Sequence, residues 1–68
     1  MKPEKAMIKL VEKVGSMTEL SKILNCSLSY VSRWASGERK IPIKYIKKLV
    51  QLSEGEITRE DLRPDVFN

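Results

Sequence analysis

One window, residues 17–36 (MTELSKILNCSLSYVSRWAS), constrains this chain more than any other, because its small, apolar and turn-forming residues leave room for little except two short helices crossed at a tight corner. Leu20 and Leu24 stand four apart on one helical face, and Ser21 beside them is small enough to let a second helix cross closely. Asn25 is a residue that enters the left-handed region readily, so it can end the first helix and redirect the chain within three residues. Cys26 is expected to plug that turn as a small buried hydrophobe, and Ser27 to cap the next helix. There Leu28, Val31 and Trp34 recur at three-residue spacing, with Trp34 as the large inward anchor; Ser29, Ser32 and Arg33 are left facing outward.

The rest of the chain reads as helices around this pair. Pro3 suits a first helical turn, and Met7, Leu10, Val11 and Val14 share a face, which predicts a helix over 3–14 ended by Gly15. Ser16 with Glu19 three residues on forms a capping box for a second helix running to about Leu24; the third spans about 28–35, followed by Gly37. Residues 38–41 form a charged loop ended by Pro42. A fourth helix follows, its inner stripe Ile43, Ile46, Leu49, Val50 and Ser53, its wet side Lys44, Lys47 and Lys48, its end marked by Gly55. Thr58 and Asp61 make a second capping box for one more turn before Pro64, and coil follows. An extended course for 57–68 is the alternative, with Ile57, Leu62, Val66 and Phe67 closing the core or meeting a second subunit. The expected fold is all-α, a bundle of four to five helices in one small domain over 1–68.

Sixty-eight residues bury a small core, and a cofactor cleft or catalytic site would consume much of it. With no histidine and one cysteine the chain cannot build a common zinc site, an intramolecular disulfide, or a Cys/His or Ser/His nucleophile pair, so no enzyme activity, metal or cofactor is expected. A redox role for Cys26 needs an exposed thiol of low pKa, which a turn plug seldom provides. A free thiol and the lack of an apolar run of signal-peptide or membrane length point to a reducing cytoplasm, with no membrane partner and no small-molecule substrate. The net charge of +4 is divided unequally: residues 1–53 carry eleven Lys/Arg against four Glu, net +7, and residues 54–68 carry two against five Asp/Glu, net −3. A basic body suits a phosphate-bearing partner, from which the acidic segment is expected to face away. Lys-rich helices are also merely soluble, so charge alone does not decide between the two.

The spacing of Ser21, Leu24, Asn25, Cys26, Val31 and Trp34 resembles the helix-turn-helix of the lambda Cro and repressor superfamily. Met17 stands where that pattern often has a phosphate-reaching Gln, and Ser21 where it often has Ala; Ser16, Thr18 and the free N–H groups of the second helix can take over the phosphate contact. Over nearly the whole chain, VSRWASGERKIPIKYIKKL and GEITREDLRPDVF are similar to the small phage and prophage Cro-like regulators of the YdaS type, down to the Thr-Arg-x-Asp-Leu-Arg-Pro-Asp run at residues 58–65.

This resemblance implies a bacterial, cytoplasmic regulator of transcription that puts its third helix into the major groove of a double-stranded operator. It implies base reading at Ser27, Leu28, Ser29, Ser32 and Arg33. Arg33 is the strongest candidate, since a guanidinium can pair with guanine O6 and N7 in two bonds; Leu28, if not buried, can touch a thymine methyl, and the serines are permissive donors and acceptors. Backbone contacts fall to Ser16, Thr18, Tyr30, Arg39, Lys40, Ile43 and Lys44, with Tyr30 equally able to pack its ring under the turn. Outside this motif, the same hydroxyls and lysines would be ordinary solvated surface. One reading helix covers only a few base pairs, so a homodimer on a palindrome is expected, formed in solution or only on DNA. Its contact would lie near the end of the fourth helix with Leu62, Val66 and Phe67, residues that can equally close the monomer core. The rival class is an antitoxin-like or adaptor module that binds a protein, with DNA contact secondary. A single-stranded RNA binder is disfavoured by the scarcity of aromatics for stacking.

Overall fold

The computed structural model describes residues 2–67, so the readings at Met1 and Asn68 lie outside the described residues. Among the described residues five helices follow one another: α1 (Pro3–Val14), α2 (Met17–Leu24), α3 (Leu28–Ser36), α4 (Ile43–Leu52) and α5 (Arg59–Leu62). The protein is all-α, as the periodicity predicts. α1 is the hub and touches each of the other four helices. Ala6, Met7 and Leu10 are its buried face, with Val11 and Val14 half-buried at the edge.

The corner between α2 and α3 follows the expected chemistry closely. Ser16 Oγ accepts the Glu19 N–H at 3.1 Å, the hydroxyl half of the capping box. Ser21 is buried, and its own hydroxyl donates to the Thr18 carbonyl at 2.7 Å, so the small side chain opens space without stranding a polar group. Asn25 takes the left-handed conformation (φ 55°). The Cys26 N–H then reaches back to the Ser21 carbonyl and the Asn25 N–H to that of Lys22, the paired bonds of a Schellman ending. α3 ends the same way at Gly37 (φ 83°), with Glu38 N–H on the Arg33 carbonyl and Gly37 N–H on that of Trp34.

Four expectations are corrected. Ser27 does not cap α3 with its side chain; its hydroxyl bonds that of Ser29 at 2.8 Å instead. Leu28 is not part of the inner stripe but is 47% exposed. Ile43 is likewise exposed, because the loop ahead of α4 turns Ile41 into the core (1% exposed) and α4 begins too far along for Ile43 to reach the same space. α4 ends at Leu52 rather than near Gly55. Buried Ser53 closes it, donating to the Val50 carbonyl and accepting from the Ile57 N–H, and Glu54 and Gly55 make the left-handed turn beyond.

The C-terminal segment is a short helix and then a turn, not an extended strand. Thr58 and Asp61 form a complete capping box, with Asp61 N–H on Thr58 Oγ1 and Thr58 N–H on the Asp61 carboxylate. Ile57 and Leu62 are fully buried and close the core, Phe67 is half-buried, and Val66 stays exposed. Cys26 is half-buried, and burial pushes its thiol pKa up, as befits an apolar plug.

Trp34, 3% exposed, lies between Tyr30 and Tyr45, with ring centroids 6.4 and 5.3 Å away. Trp34→Ala is expected to cost about 3–5 kcal/mol, close to the whole stability of a domain this small. Ile43→Ala should shift the midpoint little. Urea titration followed by far-UV circular dichroism checks both; equal losses would mean that the core is centred elsewhere.

Candidate nucleic-acid interface

An α-helix advances about 100° per residue, so Leu28, Ser29, Ser32, Arg33 and Ser36 share one arc of α3, while Val31, Trp34 and Ala35 fill the buried arc. Every member of the first set is exposed. Burial of Trp34 therefore fixes which side chains α3 presents. Ser36 was not anticipated as part of this face: its position just before Gly37 suggested only a helix end, and its hydroxyl does serve that end, donating to the Arg33 carbonyl. Apart from Leu28, the arc consists of small hydroxyl side chains around one long cation.

Beside this arc, Tyr30, Arg33, Trp34, Arg39, Lys40, Pro42, Lys44 and Tyr45 wall a cleft of about 480 Å³. The cleft joins the candidate reader Arg33 to the candidate grips Arg39, Lys40 and Lys44. Sequence order could not give this proximity, because it depends on the loop after Gly37 folding back beside α3. Tyr30 is 51% exposed at its rim, with its ring stacked on Trp34, so packing of the ring and exposure of the side chain to solvent occur together. Lys44 Nζ rests 5.1 Å from the Tyr45 ring centroid, and among the described residues neither Arg33 nor Arg39 forms an ion pair. Thr18 is exposed on the first turn of α2, whereas Ser16 is half-buried with its hydroxyl engaged as the cap. Ile43 is exposed next to Pro42, at the start of α4, where N–H groups lack helical partners.

A larger concavity, about 660 Å³, lies between α4 and the C-terminal segment. Its walls include Ile43, Ile46, Val50, Ile57 and Phe67, with Lys47, Arg59 and Glu60 among its polar residues. Arg59 covers the Phe67 ring at 5.1 Å. Mixed charge around apolar walls makes this concavity a poor match for a polyanion, whereas the charged residues lining the smaller cleft are all basic.

The acidic segment does not turn away as a whole. Glu54 and Glu56 pair with Lys13 at the end of α1, which raises the lysine's pKa and lowers that of Glu56. Asp65, however, comes back to the loop of the basic cleft and accepts from Lys40 Nζ at 3.2 Å. Arg63 donates to the same carboxylate through Nε and Nη2, both at 2.9 Å, and through Nη1 to the Ile41 carbonyl at 2.7 Å. The expectation of a tail facing away fails at Asp65 because this fork ties residues 63–65 to the loop. Composition alone gave no sign of it; the Arg-x-Asp spacing within residues 58–65 was the available clue.

The geometry is that of a helix-turn-helix protein. A family model described as "Bacterial toxin YdaS" matches residues 7–68, and the chain belongs to this YdaS family. It is also 30% identical, over 53 residues, to an Escherichia coli (strain K12) protein named "Putative transcriptional regulator YdaS"; the match covers 78% of this chain and 54% of that one, so the chain spans about half the length of the curated relative it matches. No solved structure matches the chain. Among the described residues, no helix is long and apolar enough to cross a membrane.

The Arg63 guanidinium, and after it Lys40, holds the Asp65 carboxyl well below the usual carboxylate range. A depressed pKa stabilises the fold above the unfolded value of about 3.9 and loses that contribution as pH falls. In a carboxyl-carbon NMR titration Asp65 should therefore stay ionised to lower pH than a model aspartate, and Arg63→Gln should move its midpoint upward. An ordinary midpoint in the unaltered protein would mean that the fork does not persist in solution.

Proposed function

We propose that this chain is a sequence-specific double-stranded DNA-binding transcriptional regulator, a Cro-like phage or prophage repressor acting in the bacterial cytoplasm. The observation that carries this reading is the continuity of the exposed α3 arc with the basic cleft. α3 enters the major groove, where Arg33 reads guanine and Ser29, Ser32 and Leu28 adjust to neighbouring bases, with Ser27 at the helix start. Arg39, Lys40 and Lys44, the Tyr30 hydroxyl, the first turn of α2 at Ser16 and Thr18, and the start of α4 at Ile43 meet phosphates, which fix register without reading sequence. Two copies on a palindrome about one DNA turn apart supply the affinity that a single helix lacks, and bound protein excludes polymerase sterically. The name of the Escherichia coli relative supports regulation of transcription as the setting.

A second reading draws on the description of the family as a toxin and on the apolar groove beside α4: a toxin-, antitoxin- or adaptor-type module whose main partner is a protein. Salt dependence separates the two. Phosphate contacts release counterions, so binding of a labelled random duplex should weaken steeply between low and physiological salt. Absent or salt-indifferent binding favours the protein partner.

Within the DNA reading, Arg33→Ala should cost about 1–3 kcal/mol at one base position and relax preference there. Arg39→Ala should weaken all duplexes alike and reduce the salt slope by about 0.9. Fluorescence polarisation on a selected duplex and its single-position variants checks both, and an equal loss on every duplex from Arg33→Ala contradicts its role as reader.

A further inference from the structure

The pairing of Lys40 with Asp65 joins a cation of the basic cleft to the acidic end of the chain, and its two sides are held very differently. The Lys40 side chain is 73% exposed and reaches the carboxylate through one contact, at 3.2 Å. Arg63 is only 16% exposed at its side chain and makes three bonds, two to Asp65 and one to the carbonyl of buried Ile41. Bidentate guanidinium–carboxylate pairs are directional, so Arg63 fixes the carboxylate on the loop whether or not Lys40 is present. The Oδ2 atom that accepts from Lys40 also accepts from Arg63 Nη2, which keeps it aimed at the loop.

We propose that Asp65 is an electrostatic brake on DNA binding: it holds the Lys40 ammonium with a carboxylate oxygen in place of a strand phosphate, and Arg63 is the positioning residue that keeps it there. The inference rests on the DNA-binding reading above. A phosphate that engages Lys40 breaks the single exposed contact and leaves the Arg63 fork intact, but it does so beside an anion that now lacks one partner. Affinity is therefore lower than the cations of the cleft alone would give. The same contact helps hold the C-terminal turn, so removing the charge moves stability and affinity in opposite directions, and dependence of the gain on Lys40 separates the brake from a general charge effect.

The test is polarisation of a labelled random duplex over a series of potassium chloride concentrations, using the unaltered protein, Asp65→Asn, Lys40→Ala and the double variant, with thermal melting of each. Asp65→Asn should bind about two- to fivefold more tightly at low salt, the range of an exposed ion pair, with a slope steeper by up to about 0.9 and a lower melting temperature. In the Lys40→Ala background most of that gain should vanish, while the Arg63 fork remains to keep this variant folded. Unchanged or weaker binding by Asp65→Asn overturns the brake while leaving the DNA reading intact, and so does an equal gain in the Lys40→Ala background, which would be a general charge effect. If neither the unaltered protein nor Asp65→Asn binds duplex at any salt, the DNA reading falls and the brake with it.

Discussion

The corner at residues 25–27 governs the rest of the molecule. Once Asn25 adopts the left-handed conformation and the Ser21 and Lys22 carbonyls are satisfied from beyond the helix end, α3 must leave α2 at a fixed angle within three residues. Ser21, small and self-satisfied, allows the crossing. α3 can then bury only one side, and Trp34, the largest apolar residue in the chain, decides which. Everything presented outward follows from that choice. A bulkier residue at 21 or a β-branched one at 25 would disturb this corner.

Local signals were legible in the sequence wherever the controlling physics is local. The bounds of α1 and α2, the left-handed Asn25, the cap at Ser16, the Thr58–Asp61 box and the buried Val31 and Trp34 all depend on residues within a turn or two of each other. What escaped was non-local. Ile41 looked like part of a charged loop, yet it is buried, and its burial displaces Ile43 to the surface. Leu28 fits a three-residue apolar spacing, but 28, 31 and 34 drift about 60° per step round a helix of 3.6 residues per turn, so the first of them rotates out of the core. Ser27 occupies a capping position and spends its hydroxyl on Ser29 instead.

The candidate site divides in the same way. That Ser29, Ser32 and Arg33 face outward could be read from the helical period; that Arg39, Lys40 and Lys44 lie beside Arg33 could not, because it requires the loop to fold back against α3. Nor could charge sums foresee that Glu54 and Glu56 turn to α1 while Asp65 returns to the basic cleft. Segment charge describes the long-range field, whereas a bidentate pair such as Arg63–Asp65 depends on contact geometry.

The central proposal is that the exposed α3 face, with the neighbouring loop, is where duplex DNA sits. Its most direct test is a map of backbone amide shifts as a short duplex is titrated into isotope-labelled protein. The largest changes are expected at residues 27–33 and 39–44, with smaller ones at 16–18 and little along the groove between α4 and Phe67. Changes concentrated in that groove, or no changes at low salt, would contradict it.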